Sequence, residues 1–557
     1  METLICLDDG ILSVLGKKGF GREKLLTRVL TKLKKVGKVI AETKSLCPEC
    51  LRLLPAQVYE ADGKIWIAKR CPEHGLFEDL YWGSAEMYYK AERFARDGRG
   101  IENPQVSKEN PVCPYDCGLC RIHMTHTLLA NIVLTNRCDL NCWYCFFYAE
   151  RAGYVYEPSL EQIRQMVRVL RSMKPIPAKA VQLTGGEPTL REDLIEIIRI
   201  CKEEGLDHVQ LNTDGLRLAS DPELALKVRR AGVNTVYLSY DGTTAKTNPK
   251  NHWEIPSILE NCRRAGLGIV LVPTVIKTVN DGEVGPIVRF ALDNLDIIRG
   301  VNFQPVSLVG RMPKHERERF RITIPDVIMR IEEYFNGEIG REDFYPVPCT
   351  MPISEFVESL AGKPKFEMTV HFACGMATYV FKDEGGRLIP LPRFVDVEGL
   401  FEYLAEKAWE LRQGKNKYRV LAGMLLKLRS FIDREKQPKG LNLPRILFNI
   451  FLKHDYGALG AFHHKTLFIG MMHFQDLYNW DIERVKRCGI HYVVPDGRVI
   501  PFCTFNVIPQ WYRDKIHREF GIPIEEWEKR TGRRLKDDYY KRPGGVRPEA
   551  IPPEEQA

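Results

Sequence analysis

Between residues 127 and 305 two hydrophobic periods alternate along the chain. Apolar runs "LLANIVLT", "AVQLTG", "HVQLNT", "TVYLSY", "IVLVPTVI" and "VNFQPV" are separated by stretches such as "SLEQIRQMVRVLRSM" and "REDLIEIIRICKEEG", whose apolar positions recur at helical spacing. Six strands with helices between them predict parallel pairing through right-handed crossovers, an α/β fold closing into a partial TIM barrel of (βα)6 form. Upstream, residues 22–38 put Leu25, Leu26, Val29, Leu30, Leu33 and Val36 on one helical face with Lys24, Arg28, Lys32, Lys34 and Lys35 around it, a basic amphipathic helix. Such a helix suits a domain surface or the face of an anionic membrane. Residues 46–126 lack long periodic segments and are rich in Cys, Pro and Gly.

Beyond residue 310 the pattern is mixed. Helical periods cover 326–335 and 399–433, an apolar stretch runs from Leu443 to Phe474, and "HYVVPDGRVIPFC" reads as a hairpin turning at Asp496-Gly497. The expected organisation is a basic N-terminal segment (1–45), a Cys-rich metal-binding region (46–126), the (βα)6 core (127–310), a C-terminal α+β domain (311–545) and a disordered Pro- and Glu-rich tail (546–557).

A length of 557 residues with 44% hydrophobic content exceeds what one core fills, so several domains are expected. The net charge of +8, without a basic and aromatic stripe, argues against nucleic acid as a partner. No window is apolar enough to span a bilayer, and "METLICLDDG" lacks the regions of a signal peptide, which predicts a cytoplasmic protein. With that compartment most of the sixteen cysteines read as metal ligands rather than disulfides.

Four cysteine constellations carry the candidate chemistry. "TNRCDLNCWYCFF" spaces Cys138, Cys142 and Cys145 as Cys-x3-Cys-x2-Cys directly after the first barrel strand, one ligand short of a closed tetrahedral site. Three thiolates can hold three irons of a cubane and leave the fourth open, and the same spacing alone also suits zinc. "CPYDCGLC" repeats the spacing at Cys113, Cys117 and Cys120, with His123 and His126 close by; a second cluster or a zinc knuckle fits it. Cys47, Cys50, Cys71 and His74 pair two short steps across a loop, closing a zinc-ribbon or rubredoxin-like site for zinc or a single iron. Cys349, Cys374, Cys488 and Cys503 lie in turn-like contexts and are read as a four-thiolate cluster, with separate buried thiols as the other reading. Cys201 and Cys262 fall on barrel helices and read as core.

The triplet at Cys138, with Tyr144 before its last cysteine, resembles the signature of the radical S-adenosylmethionine (SAM) superfamily. "LTGGEP" after the second strand, "LNTDG" after the third and "LSYDG" after the fourth agree with it in order and position. The resemblance implies a [4Fe–4S] cluster on Cys138, Cys142 and Cys145 whose open iron chelates SAM, and an electron from it that yields a 5′-deoxyadenosyl radical. It further implies that Tyr144, Gly185, Gly186, Glu187, Asn212, Thr213, Ser239 and Asp241 contact SAM; no catalytic residue beyond the cluster is implied.

Over residues 45–510 the Cys-rich region, barrel and C-terminal part resemble the archaeal tetraether lipid synthases and their relatives, once read as pterin-methylating enzymes. That likeness implies radical coupling of two isoprenoid chain ends of archaeal diether phospholipids, one or two auxiliary [4Fe–4S] clusters, one mononuclear iron or zinc, and reduced ferredoxin or flavodoxin as electron donor. It also implies peripheral contact with the cytoplasmic membrane face, with 443–474 lining an alkyl groove. A radical methyltransferase acting on a pterin or another small heterocycle is the alternative, and a zinc-ribbon interaction protein is the alternative of another class.

Overall fold

In the computed structural model the described residues are 37–147, 152–439, 441 and 466–542. The expected basic helix up to Val36, residues 443–465 of the apolar stretch, and the tail lie outside them. Strands β1 (Lys38–Leu46), β2 (Leu53–Ala61), β3 (Lys64–Cys71) and β4 (Gly75–Trp82) form an antiparallel meander. Asp62 and Gly63, both at positive φ (52° and 67°), make the two-residue turn that joins β2 to β3 and sets Ala61 opposite Lys64.

The barrel strands are β5 (Leu129–Thr135), β6 (Ala180–Gly185), β7 (His208–Thr213), β8 (Thr235–Ser239), β9 (Gly268–Val272) and β10 (Ile298–Pro305). Each pairs with the next in parallel register, as the alternating pattern predicts. Their outward side chains, among them Ile132, Leu183, Leu211, Leu238, Ile269 and Val301, are buried beneath helices such as Leu160–Arg171, which opens with a Ser159–Gln162 capping box. Cys201 and Cys262 are fully buried on two of these helices.

The C-terminal part is not a separate layer. After β11 (Gly375–Lys382), strand β12 (Thr466–Met472) pairs parallel to β10 and antiparallel to β11. Strand β13 (Ile490–Val493) pairs parallel to β5 at the opposite edge and turns through Asp496-Gly497 into β14 (Val499–Pro501). Thus the six-stranded core is extended by one parallel strand at each edge, both drawn from beyond residue 465.

A buried ion network joins the three regions. Arg321 Nε donates to Asp79 on β4 (3.0 Å), and its two terminal nitrogens donate to Asp476 (2.5 and 3.1 Å). Beside it the buried Lys69 Nζ donates to Ser45 Oγ (2.8 Å) and to the carbonyls of Leu477 and Tyr478.

Candidate active site and metal centres

The carboxyl ends of the strands converge on one cavity of about 280 Å³. The loop after β5 enters it because two glycines let backbones touch. A Cβ on Gly185, which sits at φ +142°, would lie 2.1 Å from the Thr135 carbonyl oxygen, and one on Gly186 would lie 2.0 Å from that of Arg137. Glu187 N then donates to Arg137 O (2.8 Å). From the other side Gly310 (φ +60°) lets the 306–312 segment press on the loop, and Arg311 donates to the carbonyls of Cys142 and Cys145 (3.1 and 3.3 Å). The chain's far end closes over it: buried Arg137 pairs with Asp538 (2.5 Å), and Tyr540 N donates to Asp139 O (3.0 Å). Between these clamps Cys138, Cys142 and Cys145 are half-buried and line the cavity.

Glu187 is enclosed. Its carboxylate accepts from Thr189 N and Oγ1 (3.0 and 2.6 Å), Thr213 Oγ1 (2.8 Å) and Asp214 N (2.9 Å). Burial, with Asp214 adding repulsion, pushes its carboxyl up to about 8. Burial and then Glu187 push Asp139 up to about 7, and burial and then Asp139 push Asp214 up as well. The Cys138 sulfur and the carboxylate oxygens of Asp139 and Asp214 lie within 4.8 Å of one another. Three buried carboxyl groups whose charged forms are disfavoured thus stand beside the cysteine loop.

Sequence reasoning missed Lys250. Its buried ammonium donates to Asp241 Oδ2 (2.6 Å), to Tyr144 Oη (3.2 Å) and to Ser239 Oγ, while Tyr144 donates to the same Asp241 oxygen and Thr274 N donates to Oδ1 (2.9 Å). Lys250 thereby latches the cysteine loop to the end of β8; a lysine in a polar loop eight residues past "LSYDG" carries no motif of its own. Asn212 Nδ2 donates to Thr184 Oγ1 (3.1 Å) at the cavity wall. Lys250→Met, which leaves Asp241 buried without its cation, is expected to weaken SAM binding at least about tenfold. Titration of the reduced cluster's paramagnetic spectrum with SAM checks this; an unchanged titration would dismiss the latch.

On the two turns of the meander, Cys47, Cys50, Cys71 and His74 converge within 4.8 Å, with Cys71 Sγ 3.4 Å and Cys47 Sγ 3.7 Å from His74 Nδ1. This donor set fits one tetrahedral ion. Cys113, Cys117 and Cys120 gather on one loop, near enough to repel one another's charge, and Cys117 Sγ reaches Thr504 Oγ1 (3.3 Å), beside Cys503. His126 is not an available ligand there: its ring nitrogens meet Glu367 N (2.9 Å) and Thr127 O (3.2 Å). His123 Nε2 instead faces Cys488 O (2.9 Å) and His491 (3.1 Å). Of the four C-terminal cysteines the structure brings Cys374, Cys488 and Cys503 together. Cys349, in the turn Val347–Thr350, is buried near Tyr345 and Lys90.

The superfamily profile "Radical SAM superfamily" matches residues 132–291, and the profile "HMPTM N-terminal zinc ribbon domain" matches 39–83. The 7,8-dihydro-6-hydroxymethylpterin dimethyltransferase of Methanocaldococcus jannaschii is 48% identical over 497 residues, 88% of this chain and 97% of that protein. The chain belongs to the radical SAM superfamily. A GTP 3′,8-cyclase of Geobacter sulfurreducens is 30% identical to this radical SAM protein over 31% of its chain, which spans 54% of the cyclase. Among solved structures, methylornithine synthase is 18% identical, covering 38% of this chain and 64% of that one at a TM-score of 0.29. A radical SAM methyltransferase from Sphaerobacter thermophilus is 13% identical over 59% and 82% at 0.26.

Membership brings SAM, a [4Fe–4S] cluster and the need for a reducing electron donor. The same comparison corrects the lipid-coupling expectation: the relative that spans nearly the whole chain is named for pterin methylation. No helix among the described residues is long and apolar enough to cross a membrane.

The cavity's inner wall mixes polar and apolar side chains. Along the strands every second residue faces inward, and Leu129 and Asn131, Gln182 and Thr184, Asn212, Tyr237 and Ser239, Val272, and Asn302 and Gln304 line the cavity. Carboxamides link across strands, Gln182 Nε2 to Asn131 Oδ1 (3.0 Å) and Gln210 Nε2 to Gln182 Oε1 (2.5 Å). An aromatic wall closes the side, with the rings of Phe474 and Phe502 stacked at 3.9 Å and Tyr492 5.3 Å from Phe502.

Proposed function

We propose that this radical SAM protein is a methyltransferase whose substrate is a reduced 6-hydroxymethylpterin. The 48% identity to the Methanocaldococcus enzyme across 97% of its length carries this reading. The chamber supports it: a pterin is a flat ring system with alternating donors and acceptors on its edge, which carboxamides of Asn131, Gln182, Asn302 and Gln304 can match while Phe474 and Phe502 cover a face.

In this reading Cys138, Cys142 and Cys145 hold the SAM-binding cluster, and the Cys113 and Cys374 trios hold auxiliary clusters. Cys47, Cys50, Cys71 and His74 hold a single zinc or iron. When bound, the first cluster supplies one-electron cleavage of SAM. The protein's own groups do the rest. Glu187, with Thr189 and Thr213 fixing its carboxylate, receives the methionyl amine. Lys250 and Asp241 keep Tyr144 and the cysteine loop in place, and the 527–542 segment shields the loop from water. A reduced ferredoxin or flavodoxin serves as donor.

The test is anaerobic reconstitution with dithionite, methyl-labelled SAM and 7,8-dihydro-6-hydroxymethylpterin. Because one-electron cleavage leaves the methyl on methionine, the transferred methyl comes from a further SAM; label in the pterin by mass spectrometry is expected, and SAM cleavage with an unlabelled pterin would overturn the proposal.

A further inference from the structure

Five arginines are buried among the described residues: Arg137, Arg191, Arg321, Arg484 and Arg513. Four of them meet a carboxylate, Arg137 at Asp538, Arg191 at Asp193, Arg321 at Asp79 and Asp476, and Arg513 at Asp514. Arg484, 1% exposed on the short helix Ile482–Lys486, pairs with none among the described residues. Its Nε donates to Cys374 Sγ (3.3 Å), its Nη2 donates to the His473 carbonyl, its Nη1 has no partner, and its guanidinium lies 5.6 Å from the Tyr81 ring centre. A carbonyl and a ring face solvate a cation without cancelling its charge. Guanidinium does not escape burial by losing its proton, so a fold that keeps one here requires an anion beside it.

The anionic candidates in reach are the sulfurs of Cys374 and Cys503, with Cys488 next to them. Three thiolates on an iron–sulfur centre carry negative charge that a lone neutral thiol lacks. We propose that Arg484 is the built-in counter-charge of a three-thiolate iron–sulfur centre at Cys374, Cys488 and Cys503, and that it holds the reduction potential of that centre up. This rests on the ligand reading above. Reduction adds negative charge to a centre, and a fixed cation hydrogen-bonded to a ligand sulfur favours the reduced form. Arg484 is thus a positioning and charge-setting residue, and Cys503, which also lines the substrate chamber, places its effect beside the reaction.

The experiment uses full-length, reconstituted protein carrying Cys138→Ala, Cys142→Ala and Cys145→Ala, so that only the remaining clusters report by paramagnetic resonance during redox titration. Cys374→Ala in this background identifies the signal in question by deleting it; no signal lost there would overturn the ligand reading and this inference with it. Arg484→Gln is expected to keep that signal and move its midpoint to more negative potential, with Arg484→Lys returning it toward the parent and the other signal unmoved. An unchanged midpoint in Arg484→Gln overturns the counter-charge alone. If Arg484→Gln loses the signal, Arg484→Lys decides: recovery supports the proposal, and loss in both shows a structural role only.

Discussion

Alanine at Cys142 is expected to bring 5′-deoxyadenosine formation down to the no-enzyme background, while the iron belonging to one cubane disappears and that of the other centres remains. The cause is stoichiometric. Cys138, Cys142 and Cys145 are the only cysteines on the loop after β5, and a cubane already using an open corner for SAM has no spare thiolate to lose. Cys201→Ala is the matched control, since that thiol is fully buried on the helix Leu194–Glu203 and removes only packing. Iron analysis together with chromatography of the cleavage product checks both; 5′-deoxyadenosine at parental levels in Cys142→Ala would remove the cluster from this loop.

Methionine at Arg321 is expected to destabilise the protein by about 3–5 kcal/mol, because it strands the buried Asp476 carboxylate rather than deleting a pair, while Asp79 keeps Arg317 (3.2 Å). Asp79 and Asp476 lie on segments nearly four hundred residues apart, and Arg321 is what makes their approach tolerable. Burial pushes Asp476 up, but the adjacent charge and hydrogen bonds of Arg321 outweigh it and hold its carboxyl below the usual range. The folded state therefore binds fewer protons than the unfolded state near and below the ordinary aspartate value. Stability from this pair is present above that value and is lost as pH falls through the lowered one. Thermal unfolding of parent and variant is expected to show the largest gap near neutrality and a narrowing gap toward low pH; curves that stay parallel as pH falls would assign the loss to packing.

The strand-helix alternation and the registered motifs make the core and the cysteine loop legible in the sequence. Local spacing sufficed there, because each motif follows its own strand. What escaped was non-local. Nothing around Thr466 or Ile490 announces that these strands pair with β10 and β5, since pairing partners across hundreds of residues leave no period. Cys349 shares its turn-like context with Cys374, Cys488 and Cys503, and the fold sets it beside Tyr345 and Lys90. The polar side of the chamber, by contrast, follows the strands' period of two. Gln182 and Thr184, Gln210 and Asn212, and Asn302 and Gln304 recur at every second place inside runs read as apolar. Parallel strands buried on both faces are ordinarily apolar throughout, so this alternation marks an interior lined in part by polar groups.

The two outermost parallel strands have a consequence for biogenesis. While the ribosome is still elongating, β5 and β10 each expose an unpaired rim whose partner has not been made. The nascent barrel must be kept from sticking to its neighbours until translation is almost complete, which predicts chaperone dependence and makes a gene fragment stopping at residue 310 a poor candidate for expression.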